Sequence, residues 1–154
     1  MKAMIRYVEG RAFVAKSDSN HWVPLDLSPV SGGTGAANDP YQLFAIACGG
    51  CATADVVDML AKGRMSLAKL TLDLEITRAD SVPKIARALH YHFHVDGPDV
   101  TMDAVRRAIE LSLTKYCSVA LSLDRSVAFR AQITLNGETG DTWEIERNTA
   151  IYTR

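Results

Sequence analysis

One long apolar segment constrains the fold of this chain most; it follows Asn38-Asp39-Pro40 and stops at Gly63. A capping side chain followed by proline is typical of the first turn of a helix, and glycine commonly ends one. The pattern therefore predicts a helix from about Pro40 to Lys62. Apolar residues occupy nearly every side of this helix as far as Ala54, so we expect it to be buried all round.

Two adjacent glycines, Gly49-Gly50, lie near the middle of the predicted helix. Each costs roughly 1 kcal/mol relative to alanine inside a helix. Their presence indicates either the close approach of another backbone or a break that exposes Cys51 near a new helix start.

Alternating or β-rich segments flank this helix on both sides. The first three are separated by short turns and predict a β meander, and the next two alternate strictly and predict a hairpin. Strands and helices are segregated along the chain, which indicates an α+β fold with mostly antiparallel sheets around the long central helix. The predicted strands are 3–8, 11–15, 21–27, 67–76, 85–95 and 127–135, and the further helical segments are 101–115 and 117–123.

A length of 154 residues predicts a single domain, 1–154. Within it we distinguish a β meander with its loop (1–37), a core with the long helix (38–135) and a polar extension (136–154). A buried helix of more than 20 residues is long for a chain of this size to enclose, and a dimer with intertwined halves would enclose it. In the extension, Trp143, Ile145, Ile151 and Tyr152 are expected to form a short hairpin or to pack on a partner.

The net charge and the first residues of the chain indicate which partners and which cellular compartment to expect. The net charge of −1 argues against nucleic acid as a partner, because phosphate binding needs clustered lysine and arginine. The first residues contain no long apolar run, so no signal peptide is expected. The apolar stretch Leu43–Ala54 is too short to span a bilayer. We therefore expect a cytoplasmic protein with no membrane partner.

Three cysteines are the candidates for chemistry: Cys48, Cys51 and Cys117. Cys51 is either a nucleophile or a buried structural residue. Cys117 precedes a helical segment, whose dipole would lower the pKa of its thiol. Cys48 and Cys51 form a Cys-x-x-Cys, which could be a redox motif or half of a zinc site, although a small core residue is the simplest interpretation of Cys48.

Two clusters of polar residues have structural interpretations that are simpler than a metal-binding or catalytic role. Histidines His90, His92 and His94 share one face of a strand, but the outer two would lie about 13 Å apart and cannot bind one ion together. We interpret them as a polar sheet face or a dimer contact. We consider Asp55 and Asp58 as an acid–base pair, but favour the wet side of the long helix or pairing with Lys62 and Arg64.

Two segments together resemble the OsmC/Ohr family of organic hydroperoxide reductases, and most nearly its YhfA-like branch. The first runs from Asn38 through Gly49-Gly50-Cys51 to Lys62-Gly63-Arg64, and the second is Lys115-Tyr116-Cys117-Ser118-Val119-Ala120. The resemblance covers about residues 1–135 and includes the predicted order of elements.

This resemblance implies an OsmC-like, intertwined homodimer with two sites at the subunit interface. It implies that Cys51 attacks an organic hydroperoxide and that Cys117 then forms a disulfide with it. A dithiol reductant of the lipoyl type would restore the thiols, and neither a metal nor another cofactor is expected. The alternative is a non-enzymatic or redox-sensing member that binds a small apolar or thiol ligand at the dimer interface.

The residues that activate the attacking thiol in the family differ here. The family places a glutamate immediately before the position of Gln42 and an arginine in the first hairpin, and in this chain those positions are Tyr41 and Val8. Two arginines lie close to Val8, and polar residues near Tyr41 are candidates to substitute in part. The possible supporting residues are therefore Arg6, Arg11, Asp39, Tyr41 and Gln42.

Overall fold

The structure is a computed structural model, which describes residues 1–147. Its mixture of elements and their order confirm the predicted α+β class, with two further short strands near the end. The elements are β1 (Ala3–Glu9), β2 (Ala12–Ser17), β3 (Val23–Asp26), α1 (Pro40–Lys62), β4 (Lys69–Arg78), β5 (Ala86–Asp96), α2 (Met102–Leu111), α3 (Ser118–Leu121), β6 (Ala128–Leu135), β7 (Glu138–Thr139) and β8 (Trp143–Glu144).

The chain forms two compact units, 1–46 and the remainder from Ala47 onward. In the first unit, β1, β2 and β3 make the predicted antiparallel meander. The pairing of β1 with β2 is irregular at Val8, between Tyr7 and Glu9. All seven residues of β1 are exposed. The division into one domain with three parts stays a prediction.

The buried carboxylate of Asp26 organises the loop between β3 and α1. One of its oxygens accepts hydrogen bonds from the backbone N–H groups of Thr34 (3.0 Å) and Ala36 (3.1 Å) and from the Thr34 hydroxyl. These bonds, the Thr34 hydroxyl foremost, lower the pKa of Asp26 below its ordinary value. The glycine-rich segment is therefore held by a specific polar contact.

Helix α1 has the predicted bounds, and its start is a capping box. The Asp39 carboxylate accepts from the N–H groups of Tyr41 (2.7 Å) and Gln42 (2.8 Å), and the Gln42 side chain accepts from the Asp39 N–H (2.8 Å). The helix continues without interruption through Gly49-Gly50, so the expected break is absent. Gly49 instead allows close packing, because a Cβ there would lie 3.3 Å from the side chain of Leu72.

The prediction that α1 is buried all round is wrong for the single chain. Only one stripe is buried, at intervals of three to four residues, and it packs toward the main sheet. The other elements of a chain this small cover only that side, and apolar residues on the opposite side stay exposed. The buried stripe consists of Cys48, Gly49, Ala52, Val56 and Leu60.

By length and composition alone, α1 also qualifies as a candidate membrane span. The core helix of a soluble protein passes the same test. Within this protein the buried stripe of α1 contacts Leu72 of β4, as expected for a core helix. The expectation that no membrane is a partner stays a prediction.

In the described residues the main sheet has five strands: β4 lies at one edge, β5 and β6 follow, and β7 and β8 pair with β6. Strands β4 and β5 form the predicted antiparallel hairpin, and the short strands β7 and β8 pair antiparallel with β6. The pair β5–β6 is parallel, and the other strand pairs of the described residues are antiparallel, so the expectation of mostly antiparallel sheets is confirmed. The helical connection between these two strands is long enough for a parallel crossover. One face of β5 (Leu89, Tyr91, Phe93, Val95) is buried as predicted.

The helical segment after β5 runs without a break as far as Tyr116, as predicted, and changes from α-helical to π-helical geometry after Leu111. The Thr101 side chain caps α2 by accepting from the Ala104 N–H at 3.3 Å. After Leu111 the chain widens into a π-helical turn over Ser112–Tyr116, and the Cys117 N–H donates to the Ser112 carbonyl at 2.9 Å. Such turns often occur at functional sites.

The polar extension after β6 is partly structured. Trp143 and Glu144 form β8, and Ile145 is buried. The predicted contributions of Ile151 and Tyr152 lie outside the described residues.

Candidate active site

Two thiols and one carboxylate meet between α1 and the π-helical turn. The Cys51 and Cys117 sulfurs and a carboxylate oxygen of Asp55 all lie within 4.8 Å of one another. Cys51 is partly exposed, whereas Cys117 is fully buried. A disulfide needs an S–S distance of about 2.05 Å, so the two sulfurs must approach each other further before they can be joined. The structure thus brings together the two cysteines that the sequence singles out.

Asp55 joins this cluster because it lies one helical turn after Cys51, on the same side of α1. The Ser112 hydroxyl donates to its carboxylate at 2.8 Å, which links α1 to the end of α2. Asp58 pairs with Lys62 on the exposed side of the helix, which agrees with the interpretation of a wet side paired with Lys62 and not with an acid–base pair. The spacing of Asp55 from Cys51 was the available sequence signal, but nothing in the sequence indicated Ser112.

The Cys117 thiol holds its proton firmly. Burial foremost, then a hydrogen bond with Cys51, raises the pKa of Cys117 to about 12. The Ala120 N–H donates to the Cys117 sulfur at 3.4 Å and lowers this pKa in part, while the charge of Asp55 raises it. The expected lowering by a helix dipole is therefore wrong. Helix α3 has four residues, and burial outweighs the effect of its first turn.

Cys48 belongs to the core. Its side chain is fully buried in the stripe of α1, and burial raises the pKa of its thiol to about 11, with a further contribution from Cys51. Among residues 1–147, Cys48 is not part of any group of three possible metal ligands. These facts favour the interpretation of Cys48 as a small core residue over half of a zinc site.

Tyr91 is a residue near the thiols that sequence reasoning missed. It is fully buried on β5, and its hydroxyl has no hydrogen-bond partner among the described residues. Burial, followed by the charges of Cys48 and Cys117, raises the pKa of Tyr91 well above its ordinary value. The alternating pattern of β5 identified Tyr91 as core and gave no sign of the neighbouring thiols.

The five supporting candidates have other contacts, all within 1–46. The Arg6 guanidinium lies 5.7 Å from the centroid of the Trp22 ring, and Arg11 lies beside Gly32. Asp39 and Gln42 form the cap of α1, and the ring of Tyr41 packs on Phe44 with 5.3 Å between centroids. A role for any of them in activating Cys51 stays a prediction.

The histidines of β5 lie on the face of the sheet opposite the core. Nε2 of His94 contacts the Asp73 carboxylate at 2.9 Å, and Nε2 of His92 contacts the Thr134 hydroxyl at 2.8 Å. None of the three belongs to a group of possible metal ligands in the described part of the chain. This arrangement agrees with the predicted polar sheet face.

In this α+β fold the long helix α1 places Cys51 beside Cys117, and this combination is typical of one protein family. The chain belongs to the OsmC-like protein family, whose match covers residues 33–132. The resemblance inferred from the two cysteine segments is thereby confirmed.

Individual relatives agree with this assignment. Protein YhfA of Escherichia coli (strain K12) is 38% identical over 128 residues, which cover 82% of this chain and 92% of YhfA. A hypothetical protein from Aquifex aeolicus VF5 has a similar structure, with a TM-score of 0.75, 22% identity and coverage of 87% of this chain and 94% of that one. The organic hydroperoxide resistance protein OsmC from Legionella pneumophila has a TM-score of 0.64 and 16% identity, with 87% of this chain and 97% of that chain covered. The last two similarities concern the fold.

Proposed function

We propose that this protein is a cysteine-based peroxidase that reduces organic hydroperoxides to alcohols. The observation that carries the proposal is the convergence of the Cys51 and Cys117 sulfurs within 4.8 Å, from separate elements. The naming of the Legionella pneumophila structure as an organic hydroperoxide resistance protein supports this substrate class.

The reaction takes place in three balanced steps. The Cys51 thiolate attacks the O–O bond of ROOH, so that Cys51 becomes a sulfenic acid and the alkoxide leaves as ROH after taking up a proton. The Cys117 sulfur then attacks the sulfenic sulfur, forms the disulfide and releases water. A dithiol of the lipoyl type reduces this disulfide and is itself oxidised to a cyclic disulfide.

The different environments of the two thiols support this division of roles. Cys51 is the partly exposed one and can meet a peroxide, whereas Cys117 is enclosed and keeps its proton. That proton can leave with the sulfenic hydroxyl as water when the disulfide forms. A buried, protonated partner also protects the pair from reaction with other thiols until Cys51 is oxidised.

The test is consumption of cumene hydroperoxide by the reduced protein with dihydrolipoamide as the electron donor. We expect Cys51→Ser to abolish turnover, and Cys117→Ser to stop after one equivalent with a sulfenic acid that dimedone traps at Cys51. Cys48→Ala is the matched control and should retain turnover. Equal peroxide consumption by wild type and Cys51→Ser would contradict the proposal.

The working unit in this proposal is a cytoplasmic homodimer. All of β1 and one apolar side of α1 are exposed in the single chain, which supports a second copy as the partner. Neither a metal nor a tightly bound cofactor takes part in the three steps.

One observation favours the alternative, a redox-sensing or ligand-binding protein. Burial foremost, and the charge of Asp55 to a smaller extent, raises the pKa of Cys117, and the Asp55 carboxylate would oppose a thiolate beside it. This alternative predicts that a small thiol or apolar ligand raises the melting temperature without any turnover of peroxide. Turnover that depends on Cys51 would rule it out.

A further inference from the structure

We infer that Cys51, Asp55 and Cys117 form a binding site for a thiophilic divalent cation, with Zn²⁺ as its representative. Within residues 1–147 these three side chains form the one group whose possible ligand atoms all lie within 4.8 Å of one another. The inference uses the site of the proposed function, but it depends on the positions of the ligands and not on peroxidase activity.

The spacing of the three atoms suits a tetrahedral ion. Zinc binds sulfur at about 2.3 Å and carboxylate oxygen at about 2.1 Å, so ligands at tetrahedral corners lie about 3.5 to 3.8 Å apart. Atoms within 4.8 Å of one another need to close by at most about 1.3 Å to reach these separations. Three protein ligands leave the fourth corner open, as in zinc sites that keep a water or an exogenous ligand.

Groups around the cluster already orient the ligands. The Ser112 hydroxyl donates to one oxygen of Asp55 at 2.8 Å and so helps to fix the carboxylate beside the two sulfurs. The Ala120 N–H points to the Cys117 sulfur at 3.4 Å, as expected of a group that stabilises a metal-bound thiolate. The hydrogen bond between Ser112 and Asp55 joins α1 to the π-helical turn. The ligands that these two elements present are therefore already partly ordered.

Charge also favours a cation at this position. Two thiolates and a carboxylate whose possible ligand atoms all lie within 4.8 Å of one another would repel one another. A divalent ion reverses that balance because it stabilises both thiolates. The Asp55 carboxylate does not help a neighbouring thiol to lose its proton. A carboxylate beside two sulfurs does suit a borderline-soft ion such as Zn²⁺.

Binding exchanges protons for the ion and transfers no electrons. The S–H bonds of Cys51 and Cys117 break, two protons leave to the solvent, and two Zn–S bonds and one Zn–O bond form. A zinc-bound Cys51 has no free sulfur to attack a peroxide. The ion would therefore compete with oxidation and hold the site in its reduced form.

The direct test measures binding of Zn²⁺ to the reduced, full-length protein by titration calorimetry, without oxygen and after removal of the reductant. We expect one ion per chain. Co²⁺ used in place of Zn²⁺ should give thiolate charge-transfer absorption and the visible bands of a tetrahedral site. Absence of binding, or Co²⁺ spectra without thiolate bands, would overturn the inference.

Variants identify the ligands. Asp55→Asn should weaken binding at least about tenfold, Asp55→Glu should retain most of it, and Ser112→Ala should give an intermediate loss. Asp58→Asn is the matched control, one turn along the same helix and paired with Lys62, and should bind as wild type does. If Asp55→Asn binds equally well, or if Cys48→Ala loses as much affinity as Cys117→Ala, the ligand set is wrong.

A second readout separates this inference from the proposed function. If the protein consumes peroxide, Zn²⁺ should slow consumption and a chelator should restore it. Zinc binding without any peroxidase activity would leave the metal site standing and contradict the proposed function. Peroxidase activity without zinc binding would do the reverse.

Discussion

The three cysteines differ in how far each thiol can react with a reagent from solvent. Cys51 is partly exposed, whereas burial raises the pKa of Cys48 to about 11 and that of Cys117 to about 12. We therefore expect iodoacetamide at pH 8 to label Cys51 at least about tenfold faster than either other cysteine, since the thiolate is the reactive form. Peptide mass spectrometry over a time course gives the three rates. Equal labelling of Cys117 and Cys51 in the folded protein would contradict this description of the site.

Gly33 is the glycine whose replacement should matter most to the first unit. A Cβ at this position would lie 1.9 Å from the Leu27 carbonyl oxygen and 2.7 Å from an Asp26 carboxylate oxygen. Gly33→Ala must displace the loop that Asp26 organises, and we expect it to lower the free energy of unfolding by about 2 kcal/mol. Urea denaturation measures the loss.

Gly140→Ala is the matched control for this substitution. The nearest atom to a Cβ at Gly140 is 3.7 Å away, which is an ordinary contact. A change at Gly33 as small as the change at Gly140 would show that the loop is not held in the described conformation.

At the residue scale, the sequence predicted which cysteines meet but not what surrounds them. The two cysteine segments are recognisable as patterns, whereas Asp55 was ambiguous because one turn of helix fits both a wet side and a shared site. Neither Ser112 nor Tyr91 could be identified as a site residue from the sequence, since a serine in a helix and a tyrosine in an alternating strand are both common. Their importance arises from the π-helical turn and from sheet packing, which only the folded chain reveals.

At the scale of elements, the capping residues predicted the bounds of α1 because a capping box is a local interaction. The helix predicted to about Lys115 is also continuous in the structure, but its change to π-helical geometry after Leu111 was not predicted. Residues 112–116 continue the helical pattern in sequence, but the backbone widens there so that Cys117 N–H reaches the Ser112 carbonyl. The parallel pairing of β5 with β6 was also not predicted, because alternation indicates a strand and not the direction of its neighbour.

The histidine face of β5 makes the sheet sensitive to pH. Burial foremost, then the positive charges that His94 and His90 can carry, lowers the pKa of His92, while Asp73 on β4 opposes this effect. From β6, the Thr134 hydroxyl contacts His92. The unfolded chain therefore binds more protons at this position, and His92 makes the fold lose stability as the pH falls below about 6.5.

Replacing His92 should reduce that pH dependence. We expect His92→Gln to lose less stability than wild type between pH 7.5 and 5.5, as measured by urea midpoints at both values. His21→Gln, at an exposed position, is the control and should follow the wild type. Parallel pH profiles for wild type and His92→Gln would contradict the assignment to His92.

At the scale of the whole molecule, α1 has more apolar surface than the other elements of one chain cover. One exposed stripe of α1 recurs every three to four positions beside the charged pair Asp58 and Lys62. It contains only apolar residues and glycine: Ile46, Gly50, Ala54, Val57 and Ala61. Complete burial of α1 is therefore not observed in the single chain. The apolar residues from which it was predicted do lie on both the buried and the exposed sides of the helix. A second copy that covers this stripe would reconcile the pattern with the structure.

Val57 allows a direct test of that explanation. Its side chain is 40% exposed in the single chain, and a charge there would have to be buried if a second copy covers the stripe, at a cost of several kcal/mol. We expect the wild type to sediment as a dimer at micromolar concentration and Val57→Asp to sediment as a monomer. Val82→Asp, at a position 87% exposed in the turn between β4 and β5, should remain dimeric. A dimer that survives Val57→Asp would mean that the copies meet through another surface, and the exposed strand β1 would then be the surface to test.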